Sequence, residues 1–185
     1  MRFPLSLTKR LTQLFPESAE RDQFVIDVIE QALATHKVTE KDQPTCIGGT
    51  LHLFSDGGSR GNPGQAAIGC VLFDPLKNAV LREYGECIGI QTNNIAEYQA
   101  LITGLKIAKE FCPNHLICHL DSELVVKQLN GEYRVKMATF TPLIQEINEL
   151  KSGFPSVSFV YIPRAKNARA DLLVNRALDE MQVKR

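Results

Sequence analysis

The chain has 185 residues, of which 44% are hydrophobic and 23% charged, and its 21 acidic residues balance its 21 basic ones. This length and apolar content suit one main domain with a single core and a small appendage. The even charge excludes a protein that holds nucleic acid by net charge alone, because such proteins carry a basic excess. No apolar run reaches the length needed to span a membrane.

The cysteines are scattered and include no Cys-x-x-Cys pair. They are Cys46, Cys70, Cys87, Cys112 and Cys118. An odd number without metal-ligand spacing argues against a disulfide framework and against a zinc site. We therefore expect reduced thiols in a cytoplasmic protein.

The N-terminal segment predicts a helical extension followed by a linker. Apolar residues at helical spacing indicate one helix that ends at Phe15 and a second that runs from Ser18 to about Ala34. The first of these is basic and without acids, so an organelle-targeting peptide is the alternative. We place the domain boundary after the polar linker, which gives an extension over residues 1–47 and a main domain over residues 48–185. Two helices of this size cannot form a core alone, so we expect them to contact the main domain or a protein partner.

The main domain begins with three strand-like runs and continues with alternating helices and strands. The predicted strands are Thr50–Asp56, Ala66–Asp74, Ala79–Ile90, Leu116–Leu120 and Val157–Ile162; the predicted helices are Asn94–Phe111, Glu123–Asn130, one from Thr139 or Thr141 to Leu150, and Asn167–Met181. Short loops between the first three strands predict antiparallel pairing. The pattern as a whole predicts an α/β fold, with a five-stranded mixed sheet and helices on its faces.

A glycine-rich segment follows the first predicted strand and reads Asp56-Gly57-Gly58-Ser59-Arg60-Gly61-Asn62-Pro63-Gly64. Four glycines and a proline indicate backbone that either turns tightly or lets another backbone come close. Glycine turns after a strand are commonly only structural, so this segment alone leaves both a structural and a functional role open.

Four acidic residues occupy positions that usually hold apolar or capping residues. Glu97 falls in the first turn of its predicted helix, on the same stripe as Leu101, and Asp171 shares an apolar helix face. Asp56 and Asp121 each end an apolar strand. First-turn acids complement the helix dipole, and Asp121 could cap a helix, so each acid alone has a structural explanation. A shared site for a hard cation explains all four together, because Mg²⁺ takes oxygen ligands from several elements.

Four segments together resemble the motifs of type 1 ribonuclease H, in that family's order and at plausible spacing. They are Asp56 to Gly64, Thr92-Asn93-Asn94-Ile95-Ala96-Glu97, Asp121-Ser122-Glu123-Leu124-Val125 and Asn167-Ala168-Arg169-Ala170-Asp171. The resemblance spans about Thr50 to Met181 and implies a ribonuclease H-like fold. It also implies hydrolysis of the RNA strand of RNA/DNA hybrids with two Mg²⁺ ions, for which Mn²⁺ can substitute. The residues that match the family's catalytic and metal-binding acids are Asp56, Glu97, Asp121 and Asp171.

The same resemblance implies substrate contacts by Asn62, Asn93, Asn94, Thr92 and the neighbouring Gly57 backbone, and the charges of Arg164 and Lys166 complete the predicted substrate-binding set. Asparagine amides both donate and accept, so they suit contacts with 2′-hydroxyls and base edges without sequence preference. Thr92 matches a residue that the family uses near a DNA phosphate, and Arg164, Lys166 and Arg169 form a basic cluster beside Asp171. The segment from Thr92 to Asn94 is also a fair helix start, and the basic cluster is also readable as a solvated face.

The chain departs from many family members in two ways. It contains no Trp and only three basic residues between Val125 and Leu150, where those members carry a basic, Trp-rich protrusion that grips the DNA strand. It therefore resembles the compact, archaeal-like branch, and we expect weaker, more salt-sensitive binding. The loop before Asp171 carries Arg164, whereas common bacterial members place a mobile histidine there.

Two alternatives come from other classes of function. One is a nucleic-acid-binding protein on the same fold that has lost or weakened catalysis; the other is a nuclease or recombinase that acts on DNA. The presence of all four acids favours an enzyme, and the asparagine set favours a substrate with 2′-hydroxyls. We therefore predict a metal-dependent endoribonuclease whose partner is an RNA/DNA hybrid, with no membrane partner.

Overall fold

The computed structural model describes residues 46–183. The two predicted N-terminal helices and most of the linker fall on residues 1–45 and lie outside the described residues. The division into an extension and a main domain therefore stays a prediction.

The sheet contains five strands: β1 Thr50–Gly61, β2 Gly64–Asp74, β3 Ala79–Gln91, β4 His115–Leu120 and β5 Val157–Tyr161. The α-helices of the described chain are α1 Asn93–Lys109, α2 Glu123–Leu129, α3 Thr141–Lys151 and α4 Ala168–Val183. Short 3₁₀ turns cover Ala138–Phe140 and Arg164–Lys166. Within residues 46–183, no helix is long and apolar enough to cross a membrane.

The strands lie in the order β3-β2-β1-β4-β5. β1, β2 and β3 pair antiparallel, as their short connections predict, whereas β4 pairs parallel with both β1 and β5. Parallel neighbours need long crossover connections, and the helices supply them. The predicted α/β fold with a five-stranded mixed sheet is confirmed.

Strand β1 is central, and its two faces meet different helices because successive side chains alternate across a strand. Leu51 and Leu53 are fully buried in one core cluster with Leu101 and Leu105 of α1. On the opposite face, α4 comes so close that a Cβ atom at Gly58 would lie 2.9 Å from a Val174 methyl group. The second half of β1 therefore runs where α1 and α4 both approach the sheet.

Most of the glycine-rich segment continues strand β1, and the chain turns only at Asn62 and Pro63, before β2 begins at Gly64. The predicted end of the first strand at Asp56 is wrong, because β1 continues to Gly61 and Asp56 pairs with Gly69 of β2. A Cβ atom at Gly57 would lie 2.1 Å from the carbonyl carbon of Ala96 in α1. Glycine is required at position 57 because a helix backbone approaches it closely. Of the two explanations that the sequence allowed, a tight turn and a close backbone approach, the second applies to Gly57.

The starts of α1, α2 and α3 add detail to the predictions. Helix α1 begins after Thr92, whose Oγ1 accepts a hydrogen bond from the Ile95 N–H at 3.4 Å. Glu97 therefore follows the first turn, and its predicted first-turn position is wrong. Ser122 is the residue before α2, as the sequence predicts for a helix cap, but its side chain makes no capping hydrogen bond. Helix α3 begins at Thr141, the second of the two predicted starts.

The expectation that all cysteines are reduced thiols is wrong for one pair. Cys46 and Cys112 form a disulfide, with Cα atoms 4.7 Å apart. The Ile47 N–H donates to the Phe111 carbonyl at 2.9 Å, which brings the segment before β1 against the end of α1. Sequence spacing could not show this, because the contact depends on how α1 packs. Cys70 remains a buried thiol, and burial raises its pKa to about 12.

Candidate active site

Three acidic side chains from three different elements converge at one place. Asp56 of β1, Glu97 of α1 and Asp121 after β4 each offer a carboxylate oxygen, and these atoms all lie within 4.8 Å of one another. Two features of the fold bring them together: the parallel pairing of β1 with β4, and the approach of α1 to Gly57. Asp56 is 6% exposed and Glu97 is 7% exposed, so these two carboxylates are largely removed from water, whereas Asp121 is half-buried.

Burial and mutual repulsion both act against ionisation of the acid cluster. Burial raises the pKa of Asp56 to about 6, and the charges of Asp121 and Asp171 add to this rise. Burial also raises the pKa of Glu97 well above its ordinary value, with further contributions from Asp56 and Asp121. The Glu97 Oε2 atom is buried without a hydrogen-bond partner in the described chain. Desolvated carboxylates that share one space and leave an oxygen unpaired suit a hard divalent cation.

Asp171, the fourth predicted acid, lies beside the cluster and is bound by other residues. The Arg164 Nη2 atom donates to Asp171 Oδ1 at 2.6 Å, and the Asn175 Nδ2 atom donates to Asp171 Oδ2 at 3.0 Å. Asp171 nevertheless raises the pKa of Asp56, so the two carboxylates interact. Both oxygens of Asp171 are thus engaged by nitrogen donors next to the acid cluster.

A polar groove contains the acid cluster and most of the predicted substrate-binding residues. Of the predicted site residues, those that line it are Asp56, Gly57, Asn93, Asn94, Glu97, Asp121, Arg164 and Asp171. Ser59, Tyr161 and Asn175 line it as well, and the sequence reasoning did not assign them a role. Residues that are far apart in the chain therefore share one open surface.

The asparagines beside the groove are held by hydrogen bonds to β1 and its turn. Asn93 Oδ1 accepts from the Ser59 N–H at 3.0 Å, and the Asn93 N–H donates to Asn62 Oδ1 at 3.2 Å. Thr92 caps α1, which is the structural role that the sequence also allowed. Asn62 and Thr92 lie outside the groove lining and support Asn93, which is in it.

Lys166 is separated from the other predicted site residues. It lines a different, apolar cavity between the sheet and the start of α4, together with Phe54, Val71 and Phe73. The basic cluster predicted from Arg164, Lys166 and Arg169 is therefore divided, because Arg164 lines the polar groove whereas Lys166 and Arg169 line this cavity.

Sequence reasoning missed Asn167, which contacts the acid cluster directly. It is 1% exposed, and its Nδ2 atom donates to Asp121 Oδ1 at 3.2 Å and to the Ser55 carbonyl at 2.9 Å. An asparagine just before a helix is typical of a helix cap, so the sequence held no separate signal for this contact.

His119 packs against its neighbours and takes no part in the acid cluster. Its ring stacks on Phe54 with centroids 4.6 Å apart, and its Nε2 atom lies 2.8 Å from His52 Nδ1. Burial and the neighbouring His52 lower the pKa of His119 to about 4. A neutral imidazole in an aromatic stack is a packing residue.

Known proteins match both the sequence and the fold. The family model described as "Reverse transcriptase-like" matches residues 54–177. Ribonuclease HI of Halobacterium salinarum is 43% identical over 157 residues, which cover 80% of this chain and 78% of that protein. The crystal structure of RNase H1 from the halophilic archaeon Halobacterium salinarum NRC-1 matches with a TM-score of 0.69 at 42% identity, over 71% of this chain and 99% of that one.

A further solved structure shares the same architecture. LC11-RNase H1, crystallised in complex with an RNA/DNA hybrid, matches with a TM-score of 0.67 at 42% identity, over 71% of this chain and 99% of that one. The expected resemblance to the archaeal-like branch is confirmed by the match to an archaeal RNase H1. Through its sequence, its sheet order and these relatives, the chain belongs to the type 1 ribonuclease H family.

Proposed function

We propose that the protein is an endoribonuclease that hydrolyses the RNA strand of RNA/DNA hybrids with two divalent cations. The observation that carries the proposal is the convergence of the Asp56, Glu97 and Asp121 carboxylates within 4.8 Å, in a groove open to a large substrate. The structure of a 42% identical relative in complex with an RNA/DNA hybrid supports this choice of substrate.

The acid cluster would hold the cations, together with Asp171 at its side. An all-carboxylate set with an unpaired buried oxygen on Glu97 fits Mg²⁺, for which Mn²⁺ is the substitute. Bound cations of this kind lower the pKa of a water nucleophile and offset the negative charge that builds on a phosphate during in-line displacement. Water attacks phosphorus and the bond to the leaving 3′-oxygen breaks, so the protein needs no covalent nucleophile.

The groove supplies neutral and cationic contacts for the substrate. Asn93 and Asn94 offer amide donors and acceptors to the 2′-hydroxyls and base edges of the minor groove, with the Gly57 backbone beside them. Asn62, which accepts a hydrogen bond from the Asn93 N–H, adds a further amide for the minor groove, and Thr92 is assigned to a DNA phosphate. Arg164, which lines the same groove and pairs with Asp171, provides a guanidinium for a backbone phosphate.

Lys166 has weaker support than the other predicted substrate contacts, because it lines an apolar cavity and not the groove. Its proposed role is a long-range electrostatic contribution beside Arg164.

One observation favours the alternative, a hybrid-binding protein with weak or no catalysis. Asp171 is engaged by Arg164 and Asn175, so the fourth acid must exchange these partners for a cation before it can serve as a ligand. Binding of a hybrid needs no such exchange.

The decisive experiment is cleavage of an end-labelled RNA/DNA hybrid, with single-stranded RNA and both homoduplexes beside it, in Mg²⁺ and in Mn²⁺. We expect cutting of the hybrid's RNA strand alone, and its loss in Asp121→Asn. Binding without cutting in either metal would replace the enzyme by the alternative. Cutting of double-stranded DNA would overturn the choice of substrate.

The division at residue 48 is part of the proposal. Residues 1–47 are assigned a structural or partner-binding role, since they lack the basic and aromatic pattern of a hybrid-binding module. A protein that starts at Gly48 should cut a hybrid at the same positions as the full chain. If the truncated protein folds but binds the hybrid more weakly, this assignment is wrong. The cytoplasmic location stays a prediction, and the Cys46–Cys112 disulfide does not support it.

A further inference from the structure

Asn167 connects the three segments that carry the acids Asp56, Asp121 and Asp171. Its Nδ2 atom donates to the carbonyl of Ser55, the residue before Asp56, at 2.9 Å and to Asp121 Oδ1 at 3.2 Å. Its own carbonyl accepts from the Asp171 N–H in the first turn of α4 at 3.1 Å. One buried side chain and its backbone therefore tie β1, the end of β4 and the start of α4 together.

The orientation of the Asn167 amide follows from its partners. Both groups at its Nδ2 atom are oxygens, and one of them belongs to a carboxylate, so the reversed amide would place oxygen against oxygen. The Oδ1 atom is buried and has no hydrogen-bond partner in the described part of the chain. In this orientation the Nδ2 atom makes two hydrogen bonds, whereas the Oδ1 atom is buried without one in the described chain.

We propose that Asn167 is a positioning residue that fixes the orientation of the Asp121 carboxylate and thereby sets the affinity of the acid cluster for divalent cations. A carboxylate without a donor rotates about its χ angles, and its neighbours Asp56 and Glu97 repel it. The hydrogen bond from Asn167 holds one Asp121 oxygen, so the group enters the acid cluster in one orientation. A role in catalysis for the cation bound by the acid cluster rests on the proposed function. The effect of Asn167 on cation binding does not rest on it.

A purely structural role for Asn167 makes a different prediction. In that case the bond to the Ser55 carbonyl would matter, and its loss would lower stability without changing the affinity for a cation. The bond to Asp121 is what separates the two roles. Groups that hydrogen-bond to metal-binding side chains typically change metal affinity by about 10- to 100-fold when they are removed.

The test is calorimetric titration of the full chain with Mn²⁺, for the wild type, Asn167→Ala and Asn167→Leu. The leucine variant keeps most of the side-chain volume while removing both donors. Asn130→Ala is the matched control, because Asn130 also bridges two elements through its Nδ2 atom, which donates to the Phe159 carbonyl at 3.3 Å. We expect Mn²⁺ affinity to fall about tenfold or more in both Asn167 variants and to stay unchanged in the control.

The outcomes are separable. Wild-type Mn²⁺ affinity in a folded Asn167 variant overturns the proposal, and so does failure of both variants to fold, which would assign Asn167 a primarily structural role. An equal loss of affinity in Asn130→Ala would show a general effect of destabilisation and would also overturn it. A wild-type protein that binds Mn²⁺ but leaves hybrids uncut would refute the proposed function, while the role of Asn167 in cation binding would stand.

Discussion

The Arg164 guanidinium and the Asp171 carboxylate form an ion pair, with Nη2 2.6 Å from Oδ1. The side chain of Arg164 is 78% exposed and that of Asp171 is 28% exposed, so water screens the pair and it contributes at most about 1 kcal/mol to folding. A guanidinium held this weakly at the rim of the acid cluster can exchange its carboxylate for a substrate phosphate.

Arg164→Ala should therefore weaken hybrid binding more than it weakens the fold. Loss of one phosphate contact should reduce the slope of log affinity against log salt concentration by about 1. Fluorescence anisotropy of a labelled hybrid at several KCl concentrations, in EDTA, measures this slope. Arg176→Ala is the control, because Arg176 forms a comparable exposed pair with Glu180 but does not line the groove. Equal slopes in the two variants would remove Arg164 from the substrate-binding set.

Gly57→Ala should disrupt both the fold and the acid cluster. The added Cβ atom would lie 2.1 Å from the Ala96 carbonyl carbon and 2.3 Å from the Glu97 nitrogen, both of them backbone atoms. Helix α1 must shift to admit it, which should lower the free energy of unfolding by about 3 kcal/mol or more. Urea denaturation measures the loss.

Gly58→Ala is the matched control for that prediction. Its added Cβ atom would meet a Val174 methyl group at 2.9 Å, and a side chain can move more easily than a helix backbone. We expect a smaller loss of stability. Equal losses of stability in the two variants would show that the close approach of α1 does not make glycine more necessary at position 57 than at position 58.

The sheet was predictable from the sequence because its signals are local. Alternating apolar residues and the short turn after Asp74 indicate three antiparallel strands without knowledge of the rest of the chain. The extent of β1 was not predictable, because glycine permits both a turn and a close approach. Only the position of Ala96, which lies 39 residues after Gly57, decides between them.

The candidate site, like the sheet, was predictable from the sequence only in part. Misplaced carboxylates and the motifs around them pointed to Asp56, Glu97 and Asp121, because a charge on an apolar stripe is visible in the sequence. The contacts of Asn167 with Ser55 and Asp121 were not visible, since they join segments separated by 112 and 46 residues. In the sequence, a polar residue at a helix start is ordinarily explained as a helix cap. Only the burial of Asn167 in the structure indicates a further role.

Glu97→Gln should abolish cleavage and stabilise the metal-free protein. The neutral amide removes one of three repelling charges, and its NH₂ group can donate to the neighbouring carboxylates. Because burial and the neighbouring acids raise the pKa of Glu97 well above its ordinary value, the variant should be more stable than the wild type at pH 8 in EDTA. Urea denaturation measures this gain, and the hybrid assay should show at least about a hundredfold loss of cleavage. A variant less stable than the wild type in EDTA would contradict the prediction.

Metal-free stability should fall as pH rises, and Mg²⁺ should reverse the trend. The pKa of Asp56 is raised from 3.8 to about 6 by burial and by its acidic neighbours, and that of Glu97 is raised as well. At a pH between the ordinary and the raised pKa of a carboxyl group, the native protein holds more protons than the unfolded chain. The stability that these carboxyl groups contribute is therefore present at low pH and is lost as pH rises through about 6. For Asp56 alone the loss is about 3 kcal/mol by neutral pH.

Thermal melts at pH 5 and pH 8, each in EDTA and in Mg²⁺, check this prediction. Protonated carboxyls do not bind cations, so Mg²⁺ should raise the melting temperature clearly at pH 8 and little at pH 5. The same comparison on Glu97→Gln should show a smaller difference between the two pH values, because one of the titrating groups is gone. An equal Mg²⁺ shift at both pH values would mean that the cation binds elsewhere on the surface, since Asp56 and Glu97 are the carboxyl groups of the described residues whose pKa is raised.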